Sequence, residues 1–198
     1  MIGIIDYGAG NIHSVKNALD FLKFKSCIIK KIKDMRSVDR IILPGVGAFG
    51  FAVERLQQTG LFESIIEWLK DNRPFLGICL GMQLLFESSE ESKKIEGFGI
   101  FKGYVKRFNI NKVPQIGWNN IDILKKSPLL GFRENPFFYF LHSYYVNTTE
   151  KDLIIGVTEY GVKYPSIINR NNIYGVQFHP EKSGKNGLRI LKNWVERC

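Results

Sequence analysis

The chain has 198 residues and a mass of 22.8 kDa, a length that fits one domain with a sizeable hydrophobic core. Hydrophobic residues make up 44% and charged residues 24%, which excludes an intrinsically disordered chain, and no apolar run reaches the ~20 residues of a membrane-spanning helix. The net charge of +9 comes from lysines scattered along the chain without interleaved aromatic residues, which argues against a nucleic-acid partner.

The first half of the chain predicts β-strands that alternate with α-helices. Short apolar runs typical of buried strands lie at residues 2–6, 27–32, 40–43 and 74–78. Helical spacing of apolar residues predicts a helix capped by Asn11, a helical stretch over residues 51–69 and a helix from residue 80 to about residue 88. The Pro-Gly pair at residues 44–45 is expected to stop the third strand. This alternation favours an α/β fold with a mostly parallel central sheet flanked by helices.

The second half predicts mainly strands. Runs of strand-like composition lie at residues 103–108, 118–123, 137–146, 153–158 and 173–178. A helical period returns at residues 186–195. We expect the later strands to include antiparallel ones added to the same sheet, and the polar run over residues 87–94 to form an exposed loop. No linker or repeat divides the sequence, so a single domain over residues 1–198 is expected.

The cysteines are few and widely spaced. Cys27, Cys79 and Cys198 form no C-x-x-C pair, which disfavours a disulfide framework or a zinc site and favours a reducing, cytoplasmic compartment. The first residues lack a basic leader, so no signal peptide is expected.

Cys79 lies in the most informative stretch, Gly77-Ile78-Cys79-Leu80-Gly81, where a buried strand runs directly into a predicted helix. This is the pattern of a nucleophile elbow with cysteine in the place of serine. The glycines two residues before and after the cysteine permit a tight turn that strains and exposes its side chain, and the N–H groups of the following helix favour the thiolate. An inert cysteine in a buried strand is the plainer alternative, and the paired glycines argue against it.

A cysteine nucleophile needs a base, and His179 is the best placed of the three histidines. It stands where a strand-like run ends, and residues two apart on an extended segment project to the same side. Glu181 is therefore expected to hold one imidazole nitrogen while the other faces Cys79, so that the three residues act as nucleophile, base and orienting acid. A polar strand end before a proline turn is the structural alternative.

Two segments are expected to bind a developing oxyanion. The N–H of Leu80 directly follows the nucleophile. The glycine-rich turn over residues 43–50 lies at the carboxyl end of the third strand, where the sites of α/β folds gather, and Val46 and Gly47 are assigned as its donors. A phosphate-binding role fits less well, because the turn matches neither the P-loop nor the G-x-G-x-x-G spacing.

Together these motifs resemble the class I glutamine amidotransferase family. The resemblance rests on the loop at residues 44–47, the elbow at 77–81 with the Met-Gln pair that follows, and the His-Pro-Glu sequence at 179–181. It covers essentially the whole chain. Within this family, the chain most resembles the glutaminase subunits that supply ammonia to a cyclase in histidine biosynthesis. This closer resemblance rests on the segments 6–11, 45–49, 83–87, 117–119, 142–144 and 177–183.

The resemblance implies hydrolysis of glutamine to glutamate and ammonia through a thioester on Cys79, with no cofactor and no metal. The ammonia is expected to pass to a cyclase (synthase) subunit, with which the chain forms a heterodimer. By the same match, the residues expected to bind glutamine are Gly45, Gln83, Glu91, His142, Ser143 and Tyr144. Those expected to face the partner are Asn11, Ile116, Trp118 and Lys182.

Three other functions stay open at this point. The same glutaminase would serve a paralogous synthase, for example one that amidates sugars for a surface polysaccharide, because the catalytic residues would be unchanged. A non-catalytic assembly subunit is disfavoured by the joint presence of Cys79, His179 and Glu181. A stand-alone cysteine peptidase or γ-glutamyl hydrolase would be fully active without a partner, whereas the resemblance predicts low turnover in isolation.

Overall fold

The computed structural model describes residues 1–131 and 136–198, and its first half alternates between strands and helices as predicted. The elements are β1 (Ile2–Ile5), α1 (Ile12–Phe21), β2 (Ser26–Ile29), β3 (Arg40–Gly45), α2 (Phe49–Gln58), α3 (Leu61–Lys70), β4 (Phe75–Cys79) and α4 (Leu80–Gln83). The second strand ends before residue 32, where a 3-10 helix (Ile32–Ser37) begins.

The second half consists mainly of strands and closes with one long helix. The elements are β5 (Phe86–Ser89), β6 (Phe101–Arg107), β7 (Gln115–Asn120), β8 (Asp122–Ile123), β9 (Phe137–His142), β10 (Tyr144–Asn147), β11 (Ile154–Glu159), β12 (Lys163–Arg170), β13 (Ile173–Val176) and α5 (Gly184–Arg197). Within the described residues, no helix combines the length and the apolar character needed to cross a membrane.

Eight strands form the central sheet in the order β2-β1-β3-β4-β13-β12-β11-β8. The first five run parallel, and β12, β11 and β8 continue the sheet through antiparallel pairings. β4 lies between β3 and β13, so that Gly77 is beside Leu43 on one side and Gly175 on the other. The predicted α/β fold, with a mostly parallel sheet and added antiparallel strands, is confirmed.

Helices cover both faces of this sheet. Because neighbouring residues of a strand point to opposite faces, Ile5 and Leu43 pack in one hydrophobic cluster with α2 and α3, while Ile4 and Ile42 pack in a second cluster with α1 and α5. These four side chains are completely buried. Burial of each such side chain contributes about 1.5–3 kcal/mol to folding, so the two clusters hold the strands of the site in fixed register.

β3 extends two residues beyond the predicted stop. Pro44 and Gly45 pair in register with Ile78 and Cys79 of β4. Proline is tolerated there because β1, on the other side of β3, pairs only as far as Ile42, so no neighbouring strand requires the missing N–H. The extension brings the glycine-rich turn to the same level of the sheet as Cys79.

The helix predicted over residues 80–88 is wrong beyond its first turn. The carbonyl group of Leu84 accepts a hydrogen bond from the N–H of Phe98, at 2.7 Å, and the chain then enters β5. The polar run over residues 87–94 is therefore not simply an exposed loop. Its first residues pair with β6, and Ser89 is buried.

The prediction that the later strands include antiparallel ones in the central sheet is confirmed for β12, β11 and β8, whereas β6, β7, β9 and β10 lie outside that sheet. β5, β6 and β10 form a three-stranded sheet, while β7 and β9 form a two-stranded ribbon. Ser143 divides the predicted run at residues 137–146 into β9 and β10. β12 has no counterpart among the predicted strands, because Pro165 and Ser166 break its apolar pattern although both are buried.

Candidate active site

Cys79 is the last residue of β4 and has a strained backbone. Its φ of 54° and ψ of −105° lie outside the regions that residues with a Cβ ordinarily adopt. A Cβ at Gly81 would collide with the carbonyl oxygen of Leu43, and a Cβ at Gly77 would lie 2.5 Å from the carbonyl oxygen of Gly81. Both glycines are therefore needed for close packing around the turn. The strained backbone predicted from their spacing is present, but the predicted exposure is wrong, because Cys79 is only 5% exposed.

His179 and Glu181 form a buried pair. Nδ1 of His179 lies 2.9 Å from Oε1 of Glu181, and the two side chains are 2% and 1% exposed. The backbone that connects the two residues is not the extended segment that was predicted. Residues Pro180–Lys182 form a 3-10 turn, which brings the carboxylate of Glu181 back to the ring of His179. The N–H of His179 donates to the carbonyl of Tyr139, and Ser183 Oγ donates to the carbonyl of His179, so the backbone is held on both sides.

The protonation of His179 is coupled to Cys79. Burial by itself lowers the pKa of this imidazole, but the neighbouring Cys79 and the hydrogen bond to Glu181 together outweigh burial and raise the pKa above its ordinary value. Nε2 of His179 is buried without a hydrogen-bond partner among the described residues. Because Glu181 holds Nδ1, Nε2 is the nitrogen available to exchange a proton with Cys79.

Within the part of the chain that the structure describes, two groups are hydrogen-bond partners of the sulfur of Cys79. Nε2 of Gln177 lies 3.5 Å from Sγ, and the carbonyl oxygen of Leu141 lies 3.8 Å from it. Neither residue was assigned a role from the sequence. For Gln177 a signal was available, since it stands two residues before His179, directly after β13. The contact of Leu141 is made by its backbone carbonyl, so the residue type gives no signal.

Cys79 borders a cavity of about 410 Å³, a size typical of small-molecule sites. The predicted site residues that line it are Val46, Gly47, Cys79, Leu80, Gln83, Glu91, His142, Ser143 and Tyr144. Ala48, Pro114 and Leu141 complete the lining. A larger cavity of about 1190 Å³, between α2, α3 and residues 87–99, contains none of the predicted residues and lies away from the nucleophile.

The glycine-rich turn lies against the elbow. Gly45 is not in the cavity lining but beneath it, where a Cβ would lie 2.7 Å from Cβ of Leu80. Gly47 has a φ of +94° and open space around it, and Val46 is exposed at the cavity. Leu80 begins α4, so its N–H belongs to the first turn, whose donors have no partner within the helix. The three predicted oxyanion donors thus border the same cavity as Cys79.

The predicted glutamine-binding side chains are held by backbone groups. Nε2 of Gln83 donates to the carbonyl of Tyr144 at 2.9 Å, and Oε2 of Glu91 accepts from the N–H of Phe49 at 2.7 Å, at the start of α2. Nδ1 of His142 is 2.7 Å from the carbonyl of Tyr144, and burial lowers the pKa of this imidazole to about 4. His142 is therefore neutral at pH 7 and braces the segment that lines the cavity.

The residues predicted to face a partner are divided between two places. Ile116 and Trp118 are 60% and 56% exposed on β7, and Phe137 on β9 is 54% exposed. The Trp118 ring meets the Tyr139 ring edge to face at 6.2 Å, and Nζ of Lys182 lies 5.9 Å from the centre of the Tyr139 ring. We call the surface formed by Ile116, Trp118, Phe137, Tyr139 and Lys182 the ribbon face. Contiguous exposed apolar groups of this kind mark an interaction surface.

Asn11, the remaining predicted partner residue, is half-buried immediately before α1. Its side chain makes no capping hydrogen bond, so the prediction that it caps the helix through its side chain is wrong. α1 packs against the Pro180–Lys182 turn, to which Lys182 of the ribbon face belongs.

The chain is similar in sequence to known proteins over nearly its whole length. Over 198 residues the chain is 52% identical to the imidazole glycerol phosphate synthase subunit HisH of Methanocaldococcus jannaschii, with 99% of each chain covered. It is 50% identical to the protein of the same name from Caldanaerobacter subterraneus subsp. tengcongensis, with 99% of this chain and 98% of the relative covered. Residues 3–198 match the family Glutamine amidotransferase class-I. The chain belongs to the class-I glutamine amidotransferase family, in its group of HisH subunits.

Solved structures share the fold. A crystal structure of a glutamine amidotransferase superposes with a TM-score of 0.79 at 15% identity, covering 98% of this chain and 97% of the other. The PurLQS structure from Thermotoga maritima gives a TM-score of 0.77 at 17% identity, with 98% and 96% covered. At these identities the likeness extends to the class-I amidotransferase fold.

Proposed function

We propose that this chain is the glutaminase subunit of an imidazole glycerol phosphate synthase. It hydrolyses glutamine to glutamate and ammonia, and it passes the ammonia to a cyclase subunit in histidine biosynthesis. The observation that carries the proposal is the strained Cys79 beside the buried His179–Glu181 pair, at the edge of a cavity of about 410 Å³. The family match and the names of the HisH relatives support the same reaction.

Cys79 acts as the nucleophile. Its sulfur attacks the side-chain amide carbon of glutamine, and the C–S bond forms as the carbonyl becomes an oxyanion. His179 takes the thiol proton at Nε2 and gives it to the departing nitrogen, so that the C–N bond breaks and ammonia leaves. Glu181 keeps Nδ1 hydrogen-bonded and stabilises the imidazolium between these two transfers.

Water then cleaves the thioester by the same route in reverse. His179, neutral once ammonia has left, accepts a proton from water at Nε2 while the oxygen attacks the thioester carbon. The C–S bond then breaks, glutamate leaves after its new carboxyl group has lost its proton to solvent, and the sulfur of Cys79 remains as a thiolate beside protonated His179. Leu80 N–H and the turn at Val46 and Gly47 are proposed to bind the oxyanion in both steps, because they border the cavity beside Cys79. Loss of one oxyanion donor costs on the order of 10²–10³ in rate.

Glutamine is proposed to bind with its amide toward Cys79 and its amino-acid end toward the mouth of the cavity. Both N–H groups of Gln83 are used within the protein, so its Oε1 is the atom available to accept a bond from substrate. Glu91 carries the negative charge for the substrate ammonium group. Ser143 and Tyr144 contribute backbone groups braced by His142, and Gly45 lets the turn approach the elbow closely.

The ribbon face, together with Asn11, is the proposed binding surface for the cyclase subunit. Ile116 and Trp118 expose large apolar side chains that a heterodimer interface would bury. Leu141 lies opposite Ile116 in the ribbon, and its carbonyl contacts Sγ of Cys79, so a partner seated there is one residue away from the nucleophile. A cytoplasmic location is proposed as well, since Cys27, Cys79 and Cys198 are unpaired.

The test is glutamate release from glutamine by the purified chain alone, with the cyclase subunit, and with the cyclase subunit plus its nucleotide ligand. We expect a low rate alone and strong stimulation by the liganded cyclase. A low rate that the cyclase does not change would contradict the partner and direct the search to a paralogous synthase. Full activity of the isolated chain would indicate a stand-alone hydrolase. No glutamate under any condition would indicate an assembly subunit.

A further inference from the structure

Gln177 is a buried amide that the mechanism above does not use. It follows β13 directly, it is 0% exposed, and its backbone N–H donates to the carbonyl of Ser166 at 3.0 Å. Its side chain lies between two residues of the site: Nε2 is 3.5 Å from Sγ of Cys79, and Oε1 accepts a hydrogen bond from Nε2 of Gln83 at 3.1 Å. A polar group is thus held directly against the nucleophile.

The carbonyl of Tyr144 fixes the orientation of the side-chain amides of Gln83 and Gln177. A backbone carbonyl only accepts hydrogen bonds, so the atom of Gln83 that lies 2.9 Å from it is the nitrogen. The second N–H of that nitrogen points to Gln177, so the atom it meets is the oxygen Oε1. The end of Gln177 that faces Cys79 is therefore its NH₂ group, a donor.

The two contacts of the sulfur favour opposite protonation states. The Leu141 carbonyl accepts from an S–H and so favours the thiol, whereas the N–H of Gln177 favours the thiolate. Cys79 is 5% exposed, so water contributes little to solvating a negative sulfur. A buried thiolate needs donors from the protein, and Gln177 is one.

Three titratable groups also interact with this sulfur. His179 favours the thiolate when it is protonated. Tyr7 and Tyr164 interact with the charge of Cys79 as well, but burial raises the pKa of each hydroxyl, so both stay neutral through the working range of pH. Gln177 differs from all three because its donor cannot titrate.

We propose that Gln177 is a further catalytic residue: its amide N–H holds the thiolate of Cys79 between turnovers, and its oxygen keeps Gln83 in place beside the nucleophile. The inference rests on the proposed glutaminase function, because it concerns the same sulfur. A hydrogen bond to the charged form stabilises that form, so loss of Gln177 leaves His179 to hold the thiolate without it.

The experiment follows alkylation of each cysteine by iodoacetamide as a function of pH in the intact chain, with the labelled peptides separated by mass spectrometry. Gln177→Met keeps the length of the side chain and removes both hydrogen bonds. We expect the midpoint of Cys79 alkylation to rise by about one pH unit, with about tenfold slower alkylation at pH 7. Cys27 and Cys198 in the same sample are internal standards whose profiles do not change.

Two further variants separate this effect from a loss of stability. Asn193→Leu removes another buried amide, which donates to the carbonyl of Leu129, and it should keep the wild-type alkylation profile. Gln177→Glu keeps an acceptor for Gln83 but presents no amide donor to the sulfur, so its midpoint should rise at least as far as that of Gln177→Met. If Gln177→Met does not fold, the alkylation midpoint of Gln177→Glu tests the proposal in its place.

A wild-type midpoint in a folded Gln177 variant would overturn the inference, whatever the glutaminase rate. If the wild-type chain releases no glutamate with any synthase but the midpoint still rises, the proposed function fails and the contact with the thiolate stands. If the wild-type chain hydrolyses glutamine and Gln177→Met keeps both its midpoint and its kcat, the function stands and Gln177 has no part in it.

Discussion

The sulfur side of the site and the ribbon face are built in opposite ways. The side chains of His179 and Glu181 are 2% and 1% exposed and held by a hydrogen bond, whereas the residues Ile116 and Trp118 are 60% and 56% exposed. Packing on both faces of the sheet sustains the strained backbone of Cys79. On the ribbon face, by contrast, large apolar side chains are exposed to solvent. The chemistry is therefore assembled within one chain, while the surface beside it is suited to a second chain.

The two regions meet in a single strand. Leu141 of β9 contacts the sulfur through its carbonyl, and its neighbours Phe137 and Tyr139 belong to the ribbon face. A shift of β9 on partner binding would move an acceptor away from Sγ and alter the cavity lining. This continuity gives a physical route for the proposed stimulation of glutamine hydrolysis by the cyclase subunit.

The largest effect outside the nucleophile is expected for Glu181→Gln. An amide at this position can donate to Nδ1 of His179 and so stabilise the tautomer that carries its proton on Nε2. We therefore expect glutamine hydrolysis by the complex to fall about 10²–10³-fold with little change in KM. Cys79→Ala should cost more, because the nucleophile itself is absent. Steady-state glutamate release measures both, and an equal loss in the two variants would contradict an orienting role for Glu181.

The buried region is also expected to weaken in acid through His142. Burial lowers the pKa of its imidazole to about 4, whereas the unfolded chain has the ordinary value of 6.5. Between these values the unfolded state binds more protons, so the free energy of unfolding falls by about 3 kcal/mol as the pH drops from 6.5 to 4. His179 acts in the opposite direction: because its folded-state pKa is raised, its stabilisation becomes complete as the pH falls below the unfolded value of 6.5, and it adds little slope over the rest of this window.

Urea unfolding at pH 7 and pH 4.5 measures this effect. His142→Gln lacks the titrating group, so it should lose less stability than the wild-type chain between the two pH values. Carboxylates contribute equally to both proteins and cancel in the comparison. Identical pH dependence would mean that His142 does not enter the folded state uncharged.

A smaller effect is expected on the exposed side. Trp118→Ser removes an aromatic anchor from the ribbon face, so the cyclase concentration for half-maximal stimulation should rise about tenfold to thirtyfold, while the basal rate of the isolated chain stays within about twofold. Phe21→Ser is the matched control, since Phe21 is 71% exposed at the far end of α1. A loss of stimulation in both variants would argue against a specific ribbon-face contact.

The elbow was predictable because its signal is local. Two glycines at fixed spacing around Cys79 predict a tight turn with no room for a Cβ at either glycine. In the structure, a Cβ at Gly81 would meet the carbonyl of Leu43, and a Cβ at Gly77 would meet the carbonyl of Gly81. The helix after it was predicted too long for the opposite reason. Its end depends on a hydrogen bond between Leu84 and Phe98, which a local apolar period does not reveal.

The contacts that tune the sulfur depend on strand pairing. Gln177 reaches Cys79 because β13 lies beside β4 with Gly175 opposite Gly77, a register that propensity and spacing do not specify. The contact of Leu141 uses a backbone carbonyl, for which any residue type serves. The identities of the candidate triad therefore came from sequence, whereas the hydrogen bonds around the sulfur required the fold.

The central claim is that Cys79 carries the hydrolysis of glutamine. Its most direct test is glutamate release by wild-type chain and by Cys79→Ala, each in the presence of the liganded cyclase, with the covalent glutamyl adduct followed by mass spectrometry of the peptide containing residue 79. We expect turnover and an adduct on Cys79 in the wild-type chain, and in the variant a loss of at least about 10⁴-fold in rate with no adduct. Glutamate release by Cys79→Ala at a rate near that of the wild-type chain would contradict it.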